Sequence, residues 1–277
     1  YNQVIKENSL FEPALFNKCG IFIKANKIEE SLSLINHLLT IDKENINYYI
    51  KKAFIYEQIQ NYDLAIECYN RALSINPNSE DVKAMKSYCL LRNKQFQEGW
   101  ILYENRWWDK VKLQTNKPEV INFDGKNKKI FIWSEQGVGD QIIYSSLFFD
   151  AFKTKNEFYI SLDPRLINLF KRSFSWAKNV EFISSDEAID ESCYDFHLPL
   201  GSLGSFFRKN IKDFKNHPIA YLSTNKDLVS GLKQQFTHEK KICGISWLSK
   251  NLEIGPEKSL SLIQLLPILS LKNITFV

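Results

Sequence analysis

The chain has 277 residues, of which 44% are hydrophobic and 25% are charged, and its formal net charge is +4. This composition excludes a disordered chain and predicts a globular protein of one large domain or two ordinary ones. The short basic clusters indicate solvated surface and disfavour a nucleic-acid-binding protein.

The cysteines and the apolar runs indicate where in the cell the protein is located. Five cysteines are scattered along the chain, without a CxxC pair or a Cys/His ligand spacing, so we predict no metal site and no disulfide framework. No apolar run approaches the ~20 residues of a membrane helix. We therefore expect a cytoplasmic protein without a membrane span. Because the chain begins with Tyr1 instead of Met, we expect it to be a fragment.

Residues 1–113 contain a sequence repeat with a constant interval. The segments NKIEESLSLINHLLTIDKEN, QNYDLAIECYNRALSINPNS and KQFQEGWILYENRWW align without gaps. Small residues recur at one position and bulky residues four positions later: Ser31, Ala65 and Gly99, then Ile35, Tyr69 and Tyr103. This spacing predicts paired helices, in which the small residue permits close approach and the bulky one fills the groove between pairs.

The interval, about 34 residues, and the motif YDLAIECYNRALSINP resemble the tetratricopeptide repeat. We place repeats at 12–45, 46–79 and 80–113, after a segment that would end an earlier helix. The second repeat matches the pattern best. The first has Lys43 in place of the terminal proline, and the third has Arg106 at an alanine position.

The resemblance implies an α-solenoid whose concave groove binds a protein or peptide. Asn17, Asn47 and Lys51 are the candidates for lining that groove. The alternative is a helical spacer that stiffens the chain without binding a partner.

After the repeats the pattern stops. Residues 114–128 are polar and aperiodic and are interpreted as a linker or a wrapping loop. The preceding pair, Trp107 and Trp108, is interpreted as an anchor between the two parts of the chain.

From Lys129 onward, strands alternate with helices. The predicted strands are KIFIWS, EFYISL, NVEFI, YDFHLPL, KICGISW and NITFV. This alternation is typical of βαβ units on a mainly parallel sheet, and it predicts a Rossmann-like α/β layer. The chain is therefore expected to be of α + α/β class.

The loop in WSEQGVGDQIIYSSLFF follows the first predicted strand, where parallel sheets bind ligands. It allows three interpretations. A dinucleotide fingerprint would use Gly137, Gly139 and the distant Asp163, but Ile142 stands where glycine or alanine is needed. A structural turn would use Asp140 to cap the helix. A catalytic loop would use Asp140 as a general base on an acceptor hydroxyl.

A resemblance adds to the third interpretation. The segments IFIWSEQGVGDQIIYSSLFF, YDFHLPLGSLGSFFR and ICGISWLSKNLEIGPEKSLSLIQLLPIL resemble bacterial proteins that join tetratricopeptide repeats to a two-Rossmann (GT-B) glycosyltransferase. Those proteins are similar to heptosyltransferases and, in layout, to the protein O-GlcNAc transferase. The resemblance covers essentially the whole chain. It implies that 129–240 forms the acceptor half and that 241–277 begins the donor-binding half.

This resemblance also implies a site. Asp140 would be the catalytic base, and Glu135, Gln136, Gly137 and Gly139 would form the acceptor loop around it.

On the donor side, the resemblance implies that Ser246, Lys250 and Lys258 face the diphosphate. It implies a nucleotide sugar as co-substrate, with no metal and no other cofactor. Because little of the donor half is present, we expect this chain to be inactive alone.

The alternative function is a non-catalytic scaffold, in which tetratricopeptide repeats bind a protein partner and the Rossmann-like domain is degenerate. His197 alternates with Asp195 along a predicted strand, and it is interpreted as a structural histidine.

Overall fold

The computed structural model describes residues 1, 3, 8, 10–107, 112–124, 126–215, 218, 220–236, 241–249 and 255–277, with backbone only at 126 and 257. The chain divides into two compact units, Tyr1–Tyr221 and Leu222–Val277. The first holds helical repeats and a four-stranded sheet, and the second holds a two-stranded sheet. Within the ranges given, the helices are too short or too polar to cross a bilayer.

The described part of 1–113 forms three consecutive helix pairs. They are α1 (Glu12–Lys24), α2 (Ile28–Ile41), α3 (Ile46–Gln58), α4 (Tyr62–Ile75), α5 (Glu80–Arg92) and α6 (Phe96–Tyr103). Sequence-adjacent helices contact each other throughout this array. The predicted helical repeats are therefore confirmed.

The backbone carries the same period as the sequence. Asn26, Gln60 and Lys94, which follow the first helix of each pair, adopt φ of 56°, 57° and 61°. A residue in the left-handed region ends an α-helix and reverses the chain. The same turn is thus built three times at one repeat position.

Small residues lie where the helices approach closely. Ser31 and Ala65 are fully buried, and Gly99 is buried at the equivalent position. A Cβ at Gly99 would lie 2.8 Å from Cδ2 of Leu91, so a larger residue there would displace the neighbouring side chain. The recurrence of small residues therefore reflects helix packing, as the spacing predicts.

The sheet of the first unit is parallel, with strand order β3-β2-β1-β4. Its strands are β1 (Lys126–Trp133), β2 (Lys155–Leu162), β3 (Val180–Ser184) and β4 (Phe196–Pro199). The helices that follow them are α7 (Val138–Ser145), α8 (Phe148–Ala151), α9 (Pro164–Ser173) and α10 (Leu203–Phe207). A parallel α/β fold is confirmed.

An aromatic cluster fills the space between this sheet and its helices. Its members pack with ring centroids 5.3 to 6.3 Å apart: Phe148, Phe152, Phe170, Phe174 and Phe182. All five are nearly or fully buried. Each ring removes a large apolar area from water, so this cluster forms the core beneath β2 and β3.

Residues 118–124 run beside β4 and pack on the sheet. His197 donates its backbone N–H to the Pro118 carbonyl at 3.0 Å, and its own carbonyl accepts from Val120 at 3.0 Å. Phe123 packs against Phe206 with ring centroids 5.0 Å apart. Of the two interpretations of this polar segment, the described part fits a wrapping loop.

The helix predicted after β1 is interrupted. Helix α7 ends at Ser145, and α8 begins only at Phe148. Between them, Ser146 and Leu147 donate backbone bonds to Ile143 and Tyr144, three residues back. Such i to i+3 bonds tighten the helix end, and they turn Phe148 into the core.

The second unit contains α11 (Lys226–Gln234), β5 (Lys241–Cys243), α12 (Leu262–Leu269) and β6 (Ile274–Phe276). Strands β5 and β6 pair in parallel. Ser261 accepts from Gln264 N, and the Gln264 side chain accepts from Ser261 N, so a capping box begins α12. The two C-terminal strands predicted from sequence, KICGISW and NITFV, are present as β5 and β6.

Candidate functional site

The loop between β1 and α7 lies at the carboxyl end of the central strand, where parallel sheets bind ligands. The N-cap residue of α7 is Gly137, and Asp140 lies in the first helical turn. Asp140 is therefore not the N-cap residue that the turn interpretation assumes. Its carboxylate is half-buried and lies near the positive end of the helix dipole.

The two glycines of the loop leave space beside this carboxylate. A Cβ at Gly137 would lie 3.7 Å from Oδ2 of Asp140, and one at Gly139 would meet nothing within 4 Å. Packing therefore does not require either glycine. Side chains at these positions would instead occupy the solvent next to Asp140.

Glu135 of the predicted acceptor loop is committed to a buried ion pair. Its carboxylate accepts from Arg106 Nε at 2.8 Å and from Arg106 Nη2 at 2.9 Å. Glu135 Oε1 also accepts from Gly201 N at 2.8 Å. With side chains 0% and 2% exposed, Arg106 and Glu135 form a bidentate pair away from water. The Glu135 carboxylate is thus held by a buried guanidinium and supports the loop.

Arg106 has further partners that explain how a guanidinium is accommodated inside the protein. Its Nη2 donates to Ser202 Oγ at 2.8 Å, and its Nη1 donates to the Tyr103 carbonyl at 3.1 Å. The Tyr103 and Trp107 rings lie 4.3 and 4.5 Å from the guanidinium carbon. Burial opposes the charged form, but hydrogen bonds and the charge of Glu135 raise the pKa of Arg106.

Gln136 connects the same loop to the helical array. Its Nε2 donates to the Tyr103 hydroxyl at 2.9 Å, and that hydroxyl lies 2.7 Å from the Tyr144 hydroxyl. Burial raises the pKa of both tyrosines. The two phenols are therefore neutral, hydrogen-bonding groups at physiological pH.

Gln141 ties the loop to the end of β2. Its Nε2 donates to the Gln136 carbonyl, and its Oε1 accepts from Asp163 N, both at 2.9 Å. Asp163 caps α9 by accepting from Arg165 N, and it pairs with the Arg165 guanidinium at 2.7 Å. These hydrogen bonds from Arg165 lower the pKa of Asp163 to about 2. The acid that a dinucleotide fingerprint would need is thus a helix cap.

A cavity of about 640 Å³ lies over the loop. One wall consists of Tyr88, Leu91 and Arg92 from α5, the first helix of the third repeat. The opposite wall is formed by the loop and α7: Glu135, Gln136, Gly137, Asp140 and Tyr144. Tyr103 also lines the cavity. The cavity therefore joins the repeat array to the predicted acceptor loop within one compact unit.

One of the residues that line this cavity has equivalents in the two earlier repeats. Gly20, Phe54 and Tyr88 occupy the equivalent position of the three repeats, on α1, α3 and α5. Phe54 is 46% exposed although it is apolar. Arg92 extends the cavity wall by pairing with Glu57 of α3 at 2.6 Å. The repeat interval is a signal in the sequence that could identify this position.

The groove candidates from sequence occupy other positions. Asn17 and Asn47 are exposed. The Nζ of Lys51 lies 3.8 Å from the centroid of the Phe16 ring, and burial lowers the pKa of this lysine. None of the three lines the cavity over the loop.

The third repeat docks on the sheet domain through tryptophans. Trp100 Nε1 donates to the Arg208 carbonyl at 2.8 Å, and a Cβ at Gly204 would lie 2.4 Å from the Trp100 ring. The Trp107 and Trp133 rings are 5.2 Å apart. Trp107 thus packs as an anchor, while Trp108 lies outside the described residues.

His197 lies behind this anchor. It is 5% exposed, and its Nδ1 accepts from Trp133 Nε1 at 3.3 Å. Burial lowers the pKa of His197. The imidazole is a buried hydrogen-bond acceptor, consistent with a structural role.

The predicted donor-side residues belong to the second unit. Ser246 is exposed in the segment after β5, and Lys258 is exposed at the end of the short 3₁₀ helix Pro256–Lys258. Lys250 lies outside the described residues. Across the part of the chain that the structure describes, no group of three or more His, Cys, Asp or Glu side chains could hold a metal ion.

Comparison with known proteins identifies the repeats. Residues 46–79 match the tetratricopeptide repeat family model. The chain carries a tetratricopeptide repeat. This repeat contains α3 and α4, and it directly precedes the cavity wall on α5. No curated protein is significantly similar to the chain.

Several solved structures are similar to part of the chain. The first tetratricopeptide repeat domain of Spaghetti, bound to an HSP90 peptide, is 16% identical to this chain, with a TM-score of 0.33. The match covers 35% of this chain and 77% of that chain. The Yersinia enterocolitica type III secretion chaperone SycD, in complex with a translocator peptide, is 16% identical, with a TM-score of 0.33. That match covers 35% of this chain and 73% of the SycD chain. The tetratricopeptide repeat domain of Sgt2 from Aspergillus fumigatus is 15% identical, with a TM-score of 0.32. The match covers 34% of this chain and 62% of the Sgt2 domain. The chain thus spans less than two thirds of the Sgt2 domain.

Proposed function

We propose that the protein transfers a sugar from a nucleotide-sugar donor to an acceptor hydroxyl, with Asp140 as the general base. The observation that carries the proposal is the position of Asp140. Its half-buried carboxylate lines a cavity whose other wall is the third repeat. An acceptor that contacts the repeat helices can therefore present a hydroxyl to this carboxylate.

The chemistry requires one proton transfer and one displacement. The acceptor oxygen forms a bond to the anomeric carbon, while the bond from that carbon to the diphosphate breaks. Asp140 takes the proton of the acceptor hydroxyl, and the nucleoside diphosphate leaves with the electron pair. Cationic groups at the diphosphate would stabilise the departing charge.

In this proposal the repeats bind the acceptor, which is a protein or a glycan. The exposed ring of Phe54 and the Arg92–Glu57 pair form a surface that leads to the cavity. Aromatic and paired charged side chains of this kind suit a chain that is partly apolar and partly polar. Binding along the repeats would raise the local concentration of the acceptor hydroxyl at Asp140.

The variant Asp140→Asn tests the proposal. The amide keeps the shape but cannot take the proton, so we expect nucleoside diphosphate release to fall by about 10²- to 10⁴-fold. The measurement is release of UDP, GDP or ADP from the corresponding sugar donors. Thermal shift with the same donors tests donor binding separately.

Asp186→Asn is the matched control, because Asp186 is exposed in the turn after β3 and lies outside the cavity lining. It should release nucleoside diphosphate at the unchanged rate. An unchanged rate in Asp140→Asn would remove this residue as the base. If no sugar donor is bound or consumed while a protein partner still binds the repeats, the non-catalytic scaffold replaces the proposal.

A further inference from the structure

Tyr144 and Asp140 face the same cavity from the same helix. They are four residues apart on α7, and residues at this spacing share one helix face. Both line the cavity over the loop. A ligand atom that reaches Asp140 therefore also comes within range of the Tyr144 hydroxyl.

The hydrogen bonds beneath Tyr144 determine where its proton points. Gln136 Nε2 donates to the Tyr103 hydroxyl oxygen, so this contact does not use the Tyr103 proton. Tyr103 is only 2% exposed, and a buried hydroxyl proton requires an acceptor. Among the described residues, the remaining hydrogen-bond partner of this hydroxyl is Tyr144, 2.7 Å away. Tyr103 therefore donates to Tyr144.

This arrangement leaves the proton of Tyr144 for the cavity. Donors in such a chain polarise one another, so the last hydroxyl becomes a stronger donor. We propose that Tyr144 is a substrate-binding residue that donates a hydrogen bond to the oxygen of the acceptor hydroxyl, whose own proton is donated to Asp140. This inference rests on the proposed function, and it identifies the group that the site recognises.

The pair selects hydroxyl groups by chemistry. A hydroxyl donates one hydrogen bond and accepts others, so it can satisfy Asp140 and Tyr144 at the same time. An ether oxygen satisfies only Tyr144, and an ammonium group satisfies only Asp140. A site whose polar groups are left unpaired by the wrong ligand discriminates strongly against it. During transfer, Tyr144 holds the attacking oxygen while Asp140 takes the proton.

One test needs no ligand. Hydroxyl exchange is measured by isotope-resolved ¹³C NMR of the tyrosine Cζ atoms. We expect the Tyr103 proton to exchange slowly, because it is buried and donated, and the Tyr144 proton to exchange rapidly from the open cavity. The reverse order of the two rates would overturn the proposal.

The second test measures binding of small hydroxyl probes by NMR titration. The probes are methyl hexosides and blocked serine and threonine, each compared with its deoxy analogue or with blocked alanine. Loss of one hydrogen bond between neutral groups lowers affinity by about 3- to 10-fold. We expect Tyr144→Phe to bind the hydroxyl probes more weakly than the wild type by this factor. Both proteins should bind the deoxy probes with equal affinity.

Tyr159→Phe is the matched control, because its ring lies on β2 outside the cavity lining. It should bind every probe like the wild type. Equal affinity of Tyr144→Phe and wild type, or no binding of any hydroxyl probe to the wild type, overturns the inference. Hydroxyl binding that depends on Tyr144 without nucleoside diphosphate release would instead reject the proposed sugar transfer.

Discussion

The second and third repeats share one backbone plan but pack against different neighbours. Both pairs turn through a left-handed residue, Gln60 or Lys94. The tyrosine of the second repeat, Tyr69, donates to Glu57 within the array at 2.6 Å. Its counterpart Tyr103 instead contacts Gln136 and Tyr144 of the sheet domain. One helix pair continues the array, and the next one ends it.

A single position explains much of this difference. Ala72 of the second repeat is fully buried in the helical core. At the same position of the third repeat, Arg106 reaches the sheet domain and pairs with Glu135. A long cation with five donors replaces a methyl group and binds a loop and the 3₁₀ helix Leu200–Ser202. A stacking surface thereby becomes a docking surface.

Arg106→Ala, which makes the third repeat resemble the second, should have the largest effect. It leaves Glu135 buried without its partner, and breaking such a pair costs about 3–5 kcal/mol. The free energy of unfolding is measured by urea denaturation. Removing both charges in Arg106→Met/Glu135→Gln should recover part of the loss. Arg92→Ala removes an exposed guanidinium from its pair with Glu57 within the array and should cost less, about 1 kcal/mol. Equal losses in the two single variants would contradict the contrast.

Gly204→Ala should come next, because it tests the contact of the third repeat with α10. The added Cβ would lie 2.4 Å from the rigid Trp100 ring, and such overpacking costs about 1–3 kcal/mol. Gly139→Ala is the control, since its Cβ would meet nothing within 4 Å. Urea denaturation compares the two variants. If they are equally stable, the tryptophan contact is looser than the structure indicates.

Tyr103→Phe and Tyr69→Phe should have the smallest effects, about 1 kcal/mol each at neutral pH. Burial raises the folded-state pKa of both tyrosines. The associated stability is fully present below the ordinary pKa of about 10, and it is lost as pH rises above that value. The free energy of unfolding of the wild type should therefore fall above pH 10, and each variant should fall less steeply. Denaturant midpoints from pH 8 to 11 test this. An unchanged slope in Tyr103→Phe would place its hydroxyl in water.

Local patterns predicted the elements well. The repeat interval predicted the helix pairs, and the apolar segments predicted β1 to β6. The interruption at Ser146 and Leu147 was not predicted, because both residues are compatible with a continued helix. It results from the packing of Phe148 against residues that are distant in the sequence. The ion pair of Arg106 was not predicted for a similar reason, because its partner Glu135 lies in a different part of the sequence. From the sequence, Arg106 is only a departure from the repeat pattern.

The position of the loop could be predicted from the sequence, whereas the contacts of its side chains could not. The loop containing Asp140 was located from its glycines and its place after a strand. The ion pair of Glu135 with Arg106 was not predicted, because the two residues are far apart in the sequence. Tyr88 was not singled out, because it becomes a neighbour of Asp140 only when the third repeat packs on the sheet domain. Tyr144 lies one turn after Asp140 on α7, so its spacing could have identified it.

Periods, turn residues and strand-forming runs act over a few residues, so the sequence by itself determined the helix pairs, the parallel strands and the position of the loop. Only the tertiary structure decided which polar side chains pair with one another inside the protein and which line the cavity. Glu135 and Asp140 both line the cavity, but the Glu135 carboxylate is held by a buried guanidinium. The physical reason is that burial and pairing depend on contacts between distant segments, which local sequence patterns do not specify.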